Sequence, residues 1–144
     1  MWKRDCCKGR NNNSCQGVCC IEEGIRDIRE GIRDINEGLD DICKNKLWEG
    51  IRDINEGVCD IREGLSDIIR GFRCIECNIS CERRRKIQDA ICDIEEGLRD
   101  ICEGLRDIIR GRICEGERDI REGICDIEEA LKDICEALND SCKK

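Results

Sequence analysis

Isoleucine and leucine recur along the chain in alternating steps of four and three. Between residues 21 and 42 the series is Ile21, Ile25, Ile28, Ile32, Ile35, Leu39 and Ile42. A mean period of about 3.5 residues keeps one apolar stripe on one side of a helix, the signature of a coiled-coil seam. With Ile25 at position a, the unit reads Ile-Arg-Asp-Ile-x-Glu-Gly, so Arg falls at b, Asp at c, Glu at f and Gly at g. The same unit returns over 47–72, 91–108 and 120–138.

Glycine at g is the unusual element. Gly24, Gly31, Gly38, Gly50, Gly57, Gly64, Gly71, Gly97, Gly104, Gly111 and Gly123 all occupy it. Each costs roughly 1 kcal/mol relative to Ala inside a helix. Together they cost on the order of 10 kcal/mol, as much as the net stability of a domain. A recently multiplied repeat could carry such a burden. A bare flank that lets another backbone approach closely explains it better. Where the unit changes at g, at Ala130 and Ala137, the next smallest residue takes the place.

The seam slips once in each half. Ile42 to Leu47 fits neither step, and Cys43-Lys44-Asn45-Lys46 reads as a turn. Ile108 to Ile120 is interrupted by Gly111 and Gly116. Such slips predict connections between antiparallel helices. A shift of 73 carries Val18 onto Ile91, Gly24 onto Gly97, Gly50 onto Gly123 and Ile61 onto Ile134. The expected fold is therefore all-α: a duplicated antiparallel coiled-coil hairpin of four helices, with Gly at g and disulfide staples. Its parts are a cysteine-rich arm (1–17), hairpin 1 (18–72), a cysteine-containing connector (73–86) and hairpin 2 (87–144). Neither hairpin covers both sides of its own seam, so the two pair with each other or with neighbouring chains.

Composition narrows the function. The 144 residues include no His, Pro or Tyr, and 2% are aromatic. No Ser-His or Cys-His nucleophile pair and no imidazole metal site can be built from them. The net charge of −8 repels phosphate backbones, and the one basic run, Arg83-Arg84-Arg85-Lys86, is flanked by Glu82 and Asp89. No stretch approaches a membrane span, and the first residues lack the apolar core of a signal peptide.

The 16 cysteines carry the remaining chemistry. In the regular heptads none takes a or d. Cys59, Cys92 and Cys125 fall at b, Cys102 and Cys135 at e, on the flank opposite Gly. A cuprous-ion store resembling the bacterial Cys-lined four-helix copper proteins would need thiolates in the core. Folding hairpin 2 so that a faces d sets Leu98 against Ile127, Leu105 against Ile120 and Ile91 against Ile134. In that register Cys92–Cys135 and Cys102–Cys125 are each offset by about 3 Å along the axis. Two disulfides are expected there, with Cys81–Cys142 as a third at the open end.

The remaining cysteines lie where chains meet. Cys6, Cys7, Cys15, Cys19 and Cys20 crowd the arm, Cys74 and Cys77 the connector, Cys43 and Cys114 the turns, and Cys59 lacks a partner across its hairpin. All ten are candidates for interchain bonds. The alternative is pairing of arm onto connector within the chain. Cys74-x2-Cys77 with Cys81 also resembles half a zinc site, a weak signal without a second pair.

Cys92 to Cys102 and Cys125 to Cys135 resemble the twin Cys-x9-Cys hairpins of the mitochondrial intermembrane space. That resemblance implies a nested pair of disulfides. The duplication, the extra cysteines and the long heptad runs mark it as convergence on one stapling solution. In composition the chain resembles the cysteine-rich structural proteins of bacterial spore coats and exosporia. The function expected is a non-enzymatic, self-assembling structural protein without cofactor, a homo-oligomer or fibre cross-linked by disulfides. It would bind no nucleic acid and span no membrane. Its expected place is extracellular or on a spore surface, reached without a standard signal peptide, or alternatively the mitochondrial intermembrane space. The competing function is a thiolate copper- or zinc-binding, or thiol-buffering, helical protein.

Overall fold

The computed structural model describes residues 13–142, with side chains over 16–139. Four helices follow one another: α1 (Asn13–Cys43), α2 (Leu47–Ile75), α3 (Cys81–Ile109) and α4 (Ile113–Cys142), with one 3₁₀ turn at Glu76–Asn78. No strand occurs among the described residues. α1 packs along α2 and α3 along α4, while α2 meets α3 and α1 meets α4 more sparsely.

One hydrophobic core runs through all four helices. Ile28, Ile35, Ile54, Ile61, Ile94, Ile101, Ile120 and Ile127 are fully buried. Elsewhere on the seam Ile25, Ile32, Val58, Leu65, Leu98 and Leu105 are no more than 8% exposed. The two hairpins thus cover each other's seams within one chain.

Within each hairpin the tight contact is glycine on glycine. Gly17, Gly24, Gly31 and Gly38 of α1 lie against Gly71, Gly64, Gly57 and Gly50 of α2. Gly97 and Gly104 of α3 lie against Gly123 and Gly116 of α4. A Cβ on Gly31 would stand 2.6 Å from the Gly57 carbonyl oxygen, and one on Gly97 2.7 Å from that of Gly123. An isoleucine of the partner helix sits over each glycine, Ile61 over Gly31 and Ile127 over Gly97. The helix propensity lost at each Gly is exchanged for backbone approach and for an isoleucine seated in the space. Gly17 and Gly116 belong to the series, although the heptad reading began after the first and treated the second as part of a turn.

Gly111 does not belong to it. A Cβ there would meet nothing within 4 Å, but its φ is +95°. The Arg112 N–H donates to the Asp107 carbonyl (2.8 Å) and the Gly111 N–H to that of Ile108 (3.0 Å). That is a Schellman cap, with Gly111 in the left-handed position after the helix. The first hairpin closes in the same way. The Lys46 N–H reaches Asp41 (2.9 Å), the Asn45 N–H reaches Ile42 (3.1 Å), and Asn45 has φ 67°.

These turns correct the internal repeat. Asn45 corresponds to Gly111, Gly38 to Gly104 and Gly57 to Gly123, a shift of 66 (45 to 111, 38 to 104, 57 to 123). The shift of 73 is one heptad too long. It matched because a uniform heptad looks the same after a slide of seven, and only the turn breaks the tie. The corrected shift carries Gly24 and Gly64 onto Ala90 and Ala130, both 1% exposed.

The helices also run past their expected ends. α1 begins at Asn13, inside the expected arm. α2 extends to Ile75 and α3 starts at Cys81, so the connector shrinks to residues 76–80. Ser80 caps α3, its Oγ accepting from the Arg83 N–H at 3.1 Å.

Candidate functional site

The packing face decides where the thiols go. Positions g and c meet across each hairpin, so b and e, on the other side of the seam, turn toward the neighbouring hairpin or solvent. An Arg62 N–H of α2 donates to Cys102 Sγ of α3 (3.5 Å), and the Cys43 thiol of α1 points to Glu117 of α4 (3.7 Å). Both contacts cross between hairpins.

No described cysteine pair stands at disulfide distance, the expected staples Cys92–Cys135 and Cys102–Cys125 included. The close contact within hairpin 2 is Gly97 against Gly123, with Ile127 over Gly97.

Cys43, Cys59, Cys77, Cys81, Cys92, Cys114 and Cys125 are exposed free thiols, and Cys19 is exposed as well. Cys102 and Cys135 are half-buried against the core. Cys20, expected to reach a neighbouring chain, is instead fully buried in α1. Cys6 and Cys7 lie outside the described residues, as do the side chains of Cys15 and Cys142. Cys81 Sγ accepts from Arg84 (3.5 Å). Among the described residues no group of three or more Cys, Asp or Glu is placed to hold a metal ion.

The second feature was not anticipated from the sequence. The aspartates at c flank the Gly–Gly contacts and face one another. Asp60 Cβ would lie 3.1 Å from a Cβ on Gly31, and Asp53 Cβ 3.2 Å from one on Gly38. Across the groove Asp34 is the neighbouring charge of Asp60, and Asp41 that of Asp53. Burial, followed by the charges of Asp34 and Glu30, pushes the Asp60 carboxyl up to about 6. Burial and then the Asp41 hydrogen bond and charge raise Asp53 as well, against the pull of Arg52.

The rung beyond holds Asp27 and Asp67. Asp67 is 1% exposed and takes an ion pair from Arg70 at 3.1 Å, where the heptad elsewhere has Glu at f. One further step of seven brings Cys20 and Cys74 into the corresponding places, with Cys74 Cβ 2.9 Å from a Cβ on Gly17. The signal was present in the sequence as Asp at c in all four helices. The Gly contact had to be seen before c became an interface position.

The surface also carries clefts. Between α1 and α4 one of about 850 Å³ has Ile32 and Leu131 on its walls, Arg29, Arg33 and Arg121 among its charges, and Cys43 in its lining. Along the α3–α4 groove a smaller one of about 310 Å³ is bounded by Asp93, Glu96, Asp126, Glu129 and Asp133. Among the described residues Trp48, Ile109 and Ile113, beside the two turns, are the exposed large hydrophobics. Comparison with protein families, with curated proteins and with solved structures found no match.

Proposed function

We propose that the chain is a non-catalytic building block that associates with copies of itself and is locked by disulfides between chains. The observation that carries this reading is the set of seven exposed free thiols on a stiff four-helix frame, none within bonding distance of another. Oxidation of such thiols runs between chains unless the frame opens. Cys43 and Cys114 lie near the turn end, Cys77 and Cys81 near the connector end, and Cys59, Cys92 and Cys125 along the sides. Thiols at both ends and on the flanks suit a fibre or lattice, since an interface that does not close on itself propagates.

The sequence adds Cys6 and Cys7, adjacent cysteines between which a bond would be strained and which therefore suit two different partners. An oxidising place outside the cell, such as a spore or cell surface, fits the chemistry. Boiling oxidised protein in detergent should leave high-mass species that collapse toward 16.6 kDa only when reductant is added. A monomer band without reductant, with every thiol still titratable, would remove the reading.

A further inference from the structure

We infer that the open groove between α1 and α4 seats a second copy of this chain, turned end for end, with Arg29 and Arg33 of each copy on Glu37 and Asp40 of the other. This places the self-association proposed above on one surface and rests on that reading. The groove is open because the two hairpins meet more sparsely along α1 and α4 than along α2 and α3. It encloses about 850 Å³. Its apolar walls, Ile32 and Leu131, are already 5% and 1% exposed, so little apolar surface remains there to recruit a partner.

What the groove offers is exposed charge. Along α1 two cations, Arg29 and Arg33, precede Asn36, and two anions, Glu37 and Asp40, follow it. Along α4 comes one cation, Arg121, and then one anion, Glu128. Asp40 pairs with Lys44 at 3.2 Å, but both side chains are exposed and such a pair is worth little in water. Among the described residues none of the other five is in an ion pair.

The pattern has a centre. The charges change sign about residue 35 on α1 and between residues 124 and 125 on α4. The contact of Cys43 with Glu117, at 3.7 Å, fixes how the two helices lie side by side. Eight residues back from Cys43 is Ile35, and eight forward from Glu117 is Cys125, so the two centres are level. A face whose charges reverse about one level is complementary to its own copy turned end for end. That turn brings two cations onto two anions along α1, twice over, and Arg121 onto Glu128 along α4, twice over. A copy laid parallel, α1 on α4, would set both α1 cations against Glu128 alone and balances less well.

The test is sedimentation velocity of the full-length chain under reductant, with Arg29→Glu/Arg33→Glu and Glu37→Arg/Asp40→Arg as variants. All four residues are exposed, and circular dichroism checks that the helices persist. Wild type should dimerise, and each variant alone should self-associate roughly tenfold or more weakly. An equimolar mixture of the two variants should recover mixed dimers, because each supplies the charges the other has reversed. A mixture as monomeric as the separate variants would overturn the pairing. So would a reduced wild type that stays monomeric, the result expected if the groove's charges close on one another within one chain. Should a variant fold poorly, the wild type decides by salt: its dimer should weaken between about 50 mM and about 500 mM, and indifference to salt refutes the pairing. If reduced wild type stays monomeric while oxidised wild type still gives high-mass bands, the groove pairing falls and disulfide assembly stands. Reduced dimers without such bands leave the groove pairing and remove the disulfide lock.

Discussion

Hairpins 1 and 2 are built on one plan and closed by the same turn, yet they are not equally tight. In hairpin 1 glycine meets glycine at four successive rungs, from Gly38–Gly50 to Gly17–Gly71. In hairpin 2 it does so at two rungs, and Ala90 and Ala130 then stand where Gly24 and Gly64 stand in hairpin 1. The two hairpins also differ in the groove beside these rungs. In hairpin 1 burial and acidic neighbours raise the Asp60 and Asp53 carboxyls, whereas around Asp93, Asp126 and Asp133 the groove of hairpin 2 opens into a cleft. One methyl group per helix sets how near two backbones come.

The largest expected effect breaks the tight rungs. Gly31→Ala with Gly57→Ala places a methyl against a carbonyl oxygen on both helices. The variant should lose about 2–4 kcal/mol in denaturant unfolding, although each Ala returns up to about 1 kcal/mol of helix propensity. The reverse exchange, Ala90→Gly with Ala130→Gly, should cost about 1 kcal/mol per site through propensity alone. If the first variant proved more stable than wild type, glycine would not be there for approach.

A smaller effect separates the two uses of glycine. Gly111→Ala should cost about 1 kcal/mol, because only its left-handed backbone is at stake. Gly111→Asn, which copies Asn45, should be close to neutral, and both are read from the same unfolding curves. Smallest in energy but sharp in outcome is the thiol rung. A short bifunctional thiol reagent should join Cys20 to Cys74 within one chain, and peptide mapping of the product checks it. Joining of Cys92 to Cys135 by the same reagent would mean that the register of hairpin 2 is that of the a-to-d facing.

Much of the architecture was legible in the chain. The step of four and three located four helices, and the slip after Ile42 placed the first turn within a residue of Lys44-Asn45-Lys46. Gly111 was harder. It continues the seven-residue spacing of Gly97 and Gly104, so periodicity alone keeps it in the helix, and its role as a cap shows only in the backbone. The same uniformity hid the repeat length, since sliding one heptad along another preserves every apolar match. The placement of the thiols was hard to read for a related reason. The seam says which residues are buried, but not whether the partner helix approaches from the Gly flank or squarely over a and d. Once the Gly flank is the contact, aspartates at c become neighbours and cysteines at b and e are turned away.

Oxidative cross-linking of a mixture of unlabelled and nitrogen-15-labelled chains, followed by mass mapping of the bridged peptides, tests the central claim most directly. Thiols held apart on a rigid frame predict bridged peptides of mixed label that contain Cys43, Cys59, Cys114 and Cys125. Bridges confined to one label, joining Cys92 to Cys135 and Cys102 to Cys125, would contradict it.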